Sequence, residues 1–489
     1  MIRGTAYTLA ALIASKIVLV VNSIAISRLL GSQSLGVMAI LWSVMALAGV
    51  LAMWGIPSAV VKFTSERGES DPERASEVVT AGTLVIFVAA GATAGGVVLL
   101  SSVLASSVFM EPALAWLLPM GAVALIVSSL PAATIALLQG FQRIRELNLR
   151  SIVLSLVSAP VTIVLVWQSA LLGAAVAGIL VAFANLAVNL GVVHGIWKKV
   201  GLRWRLPQER SLWRALVRYG SASVLISLAV SFAMLAANTS LVTSTSYREL
   251  GYFTVALALA GYLSFIPSAI GTPMVPAVSE AYGSHPEGVA TFVTKTVRLV
   301  SAVVPPLAIV LQVFADPIVV LLYGSGFAPA VRLVPYLAAS GYMLSFTAIV
   351  GFALLGTNRV WHGVVFNLLW AATYSALAWF LAPSMGASGL AAAYSVAYLG
   401  HFLIALTYAL WVFRVRSPDV APLLCLALAG VGMGVVLPGL VHDATLWLTG
   451  AAWIAVVVSL EWRLLNKGER DIFRSILRRF RPRHRAHRD

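Results

Sequence analysis

The sequence predicts an all-α polytopic membrane protein of about fourteen transmembrane helices: two six-helix lobes in a parallel pseudo-two-fold repeat, plus two C-terminal helices. Three observations carry this. Of 489 residues, 60% are hydrophobic and only 10% are charged, whereas a soluble globule carries about a quarter charged residues. Apolar runs of about 20 residues recur from end to end, each long enough to cross roughly 30 Å of hydrocarbon as a helix that satisfies its own backbone. One polar loop is also written twice, SERGESDPE at 65–73 and SEAYGSHPE at 279–287, with five of nine letters shared.

Spans are expected near 7–29, 35–61, 78–105, 113–138, 149–168, 171–196, 220–243, 251–278, 297–322, 331–355, 361–382, 389–413, 421–441 and 444–462. The N-terminal MIRGTAYTLAALIASKIVLVV opens like a signal peptide, but its apolar run continues to about Leu30. That is too long for an h-region, so it reads as a retained first span.

The connections divide by charge. One side holds Arg3, then Lys62, Arg67 and Arg74, then Arg143, Arg145 and Arg150. The same side takes seven basic residues between Lys198 and Arg218, Lys295 with Arg298, Arg359, Arg414 with Arg416, and ten from Arg463 onward. The other side holds Arg28, Arg248 and Arg332, and Lys16 lies within a span. By the positive-inside rule 29 of the 33 basic residues are cytoplasmic, and so are both termini of this plasma-membrane protein. The net charge of +15 is thus a topology signal and an affinity for anionic membrane lipids, with no nucleic acid implied.

The twin loops follow spans two and eight, so both are cytoplasmic. SQSLGVMAI after span one resembles YRELGYFTV after span seven, and LQGFQRI from Leu138 resembles LLGTNRV from Leu354. Gly173 and Gly389 keep the same spacing of about 214 to 216 residues. Such a repeat means two six-helix bundles of common ancestry, and because six is even the copies point the same way. The expected organisation is an N-lobe at 1–200, a cytoplasmic amphipathic linker at 201–219 and a C-lobe at 220–413. Spans thirteen and fourteen follow at 414–462, with a basic cytoplasmic tail at 463–489. Two like lobes that rock against each other make an alternating-access machine with a site at their interface, for which one monomer suffices.

ISRLLGSQSLGVMAI, LLQGFQRI, ELGYFTVA, LLYGSGFAPA and MGASGLAAAYS, taken in order over roughly residues 5 to 410, resemble the polysaccharide flippase branch of the multidrug/oligosaccharidyl-lipid/polysaccharide (MOP) exporter superfamily. The resemblance implies a flippase that carries lipid-linked oligosaccharides or polysaccharide repeat units from the cytoplasmic to the outer leaflet without ATP. Some members of the branch place an Asp late in span seven. Here that region reads AANTSLV, with Asn238 nearest.

The polar residues of the spans are compatible with such a cargo. A polyprenyl-linked phosphate or pyrophosphate glycan cannot enter hydrocarbon bare and needs a buried cation and hydrogen-bonding amides. Lys16 is the basic residue deepest in a span, and an intramembrane ionisable group is a site candidate by default; snorkelling to the headgroups is the alternative. At 100° per residue, Ser23 and Ser27 fall within about 20° of Lys16, while Thr8, Ser15 and Asn22 form a second stripe. Arg28 would meet the outer end of such a path or simply anchor at the outer headgroups. Asn185 and Asn189, one turn apart, line a wet cavity or glue helices. His401, which matches Asn185 across the repeat, could carry a coupling proton. Gln312 and Asn367 are weaker candidates, and Asp316 before Pro317 reads as a turn residue.

Pro267, Pro273, Pro276, Pro305 and Pro306 favour kinks, either for rocking or for packing. Two segments are amphipathic. In PQERSLWRALVRYG, Arg210, Arg214 and Arg218 oppose Leu212, Trp213, Leu216 and Val217, which suits a helix lying in the membrane interface. In the tail, Ile472, Phe473, Ile476, Leu477 and Phe480 oppose Arg474, Arg478 and Arg479. The final RPRHRAHRD is expected near anionic lipid, with docking of glycan-assembly enzymes as its alternative.

Several chemistries lack their residues. No G-x-x-x-x-G-K-[ST] loop is present, so no nucleotide is hydrolysed by that route. The single Cys425 excludes an internal disulfide and a cysteine zinc cluster. The outer acids Glu111, Glu249 and Asp443 are isolated, against a membrane enzyme of glycan assembly. No metal, cofactor or catalytic residue is expected. A drug or cation antiporter of the same superfamily is the alternative function, but it wants intramembrane carboxylates, of which this chain has almost none.

Overall fold

The computed structural model describes residues 2–66, 70–207, 209–284, 286–440, 443–467 and 469–470, with side chains described from Lys16 onward except at 222–223, 272–273, 276, 284, 286–287, 438–440 and 443–444. Thr8, Ser15 and the amphipathic and terminal stretches of the tail therefore lie outside the described residues or side chains. Every regular element among the described residues is helical. In order they are α1 (Ile2–Met53), α2 (Ile56–Ser65), α3 (Pro72–Val103), α4 (Leu114–Ser129), α5 (Ala132–Gly140), α6 (Ile144–Val200), α7 (Arg210–Ser244) and α8 (Tyr247–Gly261). Then come α9 (Phe265–Ser284), α10 (Pro286–Val313), α11 (Ala315–Tyr323), α12 (Val334–Gly356), α13 (Val360–Trp411), α14 (Ser417–Leu440) and α15 (Asp443–Leu464).

Eleven helical stretches among the described residues are long and apolar enough to cross a membrane. Three of them are interrupted. α1 breaks at Gly31 (φ 70, ψ 172), α6 at Ser169 and Ala170, and α13 at Gly386 (φ 60, ψ −142). The sequence expectation of fourteen is reached only when each of these three is read as two segments. Large apolar side chains such as Leu99, Trp167 and Trp411 stand 73% or more exposed, as lipid-facing residues do. The chain is an all-α polytopic membrane protein.

The repeat is visible in local geometry. α3 opens on Pro72 and α10 on Pro286, so each twin loop ends at a proline whose missing N–H costs a first helical turn nothing. Asp71 adds a cap, its carboxylate accepting from Arg74 N at 3.0 Å. Gln142 (φ 54) and Asn358 (φ 56) are both left-handed, 216 residues apart. Around them Phe141 N and Arg143 N donate to Leu137 O and Leu138 O at 2.9 Å each, while Thr357 N and Arg359 N donate to Ala353 O and Leu354 O at 3.0 and 2.8 Å. The same helix-ending turn is built twice.

Two compact units emerge from packing. Unit 1 comprises Met1–Val255, Val319–Ala330 and Gly363–Ala393; unit 2 comprises Ala256–Ile318, Val331–His362 and Tyr394–Asp489. Unit 1 has a core around Ile56, Val60, Val78, Val79, Ala133 and Leu137. Leu212 and Leu216 join it, while Arg210, Arg214 and Arg218 are exposed. The amphipathic stretch expected in the linker is thus the continuous start of α7; of its apolar face Leu212 and Leu216 are buried in protein, Trp213 is half-buried and Val217 is exposed. In unit 2, Tyr342, Phe346 and Phe402 are fully buried, the two Phe rings 4.6 Å apart. α10 continues through Pro305 and Pro306, and Asp316 occupies the first turn of α11.

Candidate functional site

In unit 1 the part of α1 just after residue 15 is thinly covered. Lys16 is exposed, and Ile17, Leu19 and Val21 beside it are about half exposed. Nearly two turns beyond Lys16, Asn22 is half-buried and its Oδ1 is buried without a hydrogen-bond partner among the described residues. The stripe expected from Lys16 through Ser23 to Ser27 closes on itself: Ser27 is buried and its hydroxyl donates to Ser23 O at 2.8 Å. Such back-bonding spends the hydroxyl within its own helix. Arg28 is exposed, and its Nη2 donates to Leu321 O.

α6 folds back at its break, which brings residue 150 beside residue 185. Arg150 Nη2 donates to Asn185 Oδ1, and both residues are half-buried. Arg150 Nε and, nearby in sequence, Asn148 Nδ2 are buried without hydrogen-bond partners among the described residues. Asn189 points elsewhere: its Nδ2 donates to Thr134 Oγ1 at 2.6 Å, and the Thr134 hydroxyl donates to Pro131 O at 2.8 Å. One turn of helix therefore separates a cation-bearing amide from a helix-tying one. Asn238, buried on α7, also ties helices, donating to Ser43 Oγ at 2.9 Å on α1. Asn367, in the part of α13 that belongs to this unit, donates to Gly363 O on its own helix at 2.8 Å.

In unit 2, Gln312 is buried on α10 and its Nε2 donates to Pro335 O at 3.0 Å and Val431 O at 3.1 Å, joining α12 and α14. His401 is half-buried, its ring nearly parallel to Tyr398 at 6.1 Å. Arg298, also on α10, is more heavily engaged. Its Nε and Nη2 grip Glu469 at 2.7 and 3.0 Å, Nη2 reaches Leu464 O at 2.8 Å, and Nη1 donates to Asp419 O. One guanidinium thus joins α10 to the start of α14 and the end of α15. Burial alone would raise the Glu469 carboxyl, but the Arg298 and Asn466 N–H hydrogen bonds and the Arg298 charge outweigh it and hold the group below its usual range. Beside this joint lies a cavity of about 1180 Å³ within unit 2, and none of the nine sequence-predicted site residues lines it.

Arg150, Thr134, Ser43 and Arg298 are the participants that sequence reasoning missed. The signal for Arg150 was its distance from the break, since residues 150 and 185 lie almost symmetrically about 169–170. Among the described residues no group of three or more His, Cys, Asp and Glu could hold a metal.

The family model described as "Polysaccharide biosynthesis protein" matches residues 25–332. The chain belongs to this polysaccharide biosynthesis protein family. Solved structures place its fold. The lipid II flippase MurJ in an inward closed conformation superposes with a TM-score of 0.70 at 13% identity, over 96% of this chain and 99% of that one. An inward-facing multidrug resistance MATE family transporter of the MOP superfamily gives 0.65 at 15% identity, over 82% of this chain and 94% of that one. The Vibrio cholerae MATE transporter VcmN in its bent form gives 0.57 at 14% identity, over 85% and 99%. No curated protein sequence matches the chain. This polysaccharide biosynthesis protein is a multi-pass membrane protein with the fold of MOP flippases and transporters.

Proposed function

We propose that the protein translocates a lipid-linked oligosaccharide or polysaccharide repeat unit from the cytoplasmic to the outer leaflet of the cell membrane by alternating access. The observation that carries this reading is the Arg150–Asn185 pair. A half-buried guanidinium on an apolar helix, with an amide at its tip and an Nε left over, offers what a phosphate needs on leaving water. Lys16 supplies a second cation on α1, with the unmatched Asn22 Oδ1 nearly two turns further along the helix. The family match supports a glycan as the cargo, and the lipid II flippase fold supports a lipid as its carrier.

The antiporter reading keeps one specific support, the MATE folds. Such an exchanger wants carboxylates in the spans, whereas the polar groups that the described structure gathers around Arg150 are the amides of Asn148 and Asn185. Reconstitution separates the two. A labelled polyprenyl-linked oligosaccharide should become accessible to a glycosidase outside the vesicles, and Arg150→Gln and Lys16→Ala should slow this. Ethidium efflux without lipid translocation would establish the antiporter instead.

A further inference from the structure

The cavity in unit 2 has a composition that the translocation path does not explain. Its walls come from the first turns of α10, the α12–α13 turn, the α13–α14 connection and the end of α15. Among the described residues five cations line it, Lys295, Arg298, Arg359, Arg414 and Arg416, and two carboxylates, Asp419 and Glu469, oppose them. Glu469 is taken by Arg298. Among the described residues Lys295, Arg414 and Arg416 make no ion pair, so positive charge gathers around a space large enough for a headgroup. Gathered like charges repel, and an anion in the space relieves that cost.

The rest of the lining fits the same occupant. Thr291 and Thr294 add hydroxyl donors, while Val289, Phe413 and Pro422 make an apolar wall beside them. Arg414 itself is held at φ 54, a left-handed conformation that a residue with a side chain adopts at a cost and that gathers at functional sites. The chain's own tail is the wrong partner, because the segment after Arg470 carries seven further arginines. All five lining cations belong to the side that the charge rule assigns to the cytoplasm, where the leaflet is anionic.

We propose that this cavity binds a phosphate group through Lys295, Arg414 and Arg416, with Arg359 beside them, and that the phosphate is the headgroup of an anionic membrane lipid. Arg359 stays charged there: its Nη1 donates to the Tyr408 hydroxyl at 3.3 Å, which outweighs burial and pushes its pKa up. The Arg298–Glu469 joint fixes the ends of α14 and α15 that form one side of the cavity. The site does not depend on what the translocation path carries.

The test compares the full chain with a Lys295→Gln/Arg414→Gln/Arg416→Gln variant. One arm measures retention of phosphatidylglycerol against phosphatidylcholine by native mass spectrometry, together with thermal unfolding in nanodiscs of each lipid. The other arm titrates inorganic pyrophosphate in phosphatidylcholine alone. Wild type should retain phosphatidylglycerol and be stabilised by it, with affinity in the variant weaker by on the order of tenfold or more. Equal retention by both proteins, or by neither, overturns the proposal. Stabilisation by pyrophosphate alone, lost in the variant, keeps the phosphate chemistry and overturns the lipid as its source. If the triple variant does not fold, Arg414→Lys/Arg416→Lys keeps the charge and removes the planar fork; it should lose affinity severalfold, and an unchanged affinity counts against the site.

Discussion

Gly36 and Tyr247 meet backbone to backbone, and 215 residues further along the chain the contact is repeated with the roles exchanged. A Cβ on Gly36 would overlap the Tyr247 carbonyl oxygen, and a Cβ on Gly251 would overlap the Ser32 carbonyl oxygen. Adding 215 turns Ser32 into Tyr247 and Gly36 into Gly251, so the contact is its own partner, as an axis of two-fold symmetry requires. Backbone cannot step aside as a flexible side chain can. Gly36→Ala and Gly251→Ala should therefore each cost about 1–3 kcal/mol or more. Gly178→Ala, where a Cβ meets nothing within 4 Å, should be neutral or stabilising. Thermal unfolding in detergent checks all three, and a large difference between Gly36→Ala and Gly251→Ala would count against the symmetry.

Asn189 and Asn185 separate two roles one turn apart. Asn189 and Thr134 form a buried pair, so Asn189→Ala and Thr134→Val should each destabilise by about 1 kcal/mol, with a coupling of similar size in a double-mutant cycle. Transport per folded molecule should barely change. Asn185→Ala and Arg150→Gln should do the reverse, lowering translocation severalfold at nearly unchanged unfolding temperature. A transport loss at Asn189 equal to that at Asn185 would erase the distinction.

Arg298 predicts a pH dependence. Glu469 has its pKa depressed in the folded protein, so its ion pair contributes fully above the unfolded carboxyl value of about 4.3 and is lost as pH falls through the lower folded value. The ends of α14 and α15 should stay protected between pH 8 and about 5 and open below about 4. Arg298→Gln leaves the Glu469 carboxylate without its main partner. It should raise hydrogen exchange at 417–420 and 461–466 already at pH 7, with a loss of about 3 kcal/mol, and should flatten the acid limb. An acid limb that persists in Arg298→Gln would place the titration elsewhere.

The legible and illegible parts of this chain divide along a physical line. Apolar runs and the two-fold repeat were readable because the membrane imposes them on composition, and Pro72 and Pro286 mark helix starts in any setting. Depth was not readable. The charge rule counts Arg150 and Arg298 as residues of connections, yet α6 begins at Ile144 and α10 at Pro286, so both guanidiniums lie turns inside a helix and turn towards protein. Nor does periodicity say where a hydroxyl spends its hydrogen bond. Ser27 lies on the face of Lys16 as expected, but its donor goes to Ser23 O rather than into a path. Gln312 and Asn238 were visible as polar residues in apolar helices, while their partners Pro335, Val431 and Ser43 depend on packing between segments far apart in sequence.

The repeat also predicts a stabilising substitution. Gly386, at φ 60 and ψ −142, breaks α13 in a conformation that only glycine adopts readily. Its counterpart 216 residues earlier is Ala170, at φ 44 and ψ −118, so the same break in α6 is made by a residue with a Cβ. Such backbone strain costs about 1–3 kcal/mol. Ala170 is exposed, so removing its methyl sacrifices little packing. Ala170→Gly should therefore raise stability by about 1 kcal/mol, net of the entropy glycine loses on folding. Gly386→Ala should lower stability by at least as much, because its Cβ would also stand 3.1 Å from the Glu249 carboxylate, the group that accepts from Ala387 N at 3.0 Å. Unfolding temperatures of the two variants should move in opposite directions. A lower value for Ala170→Gly would mean that the bend in α6 is held by its surroundings at no conformational cost, unlike its twin.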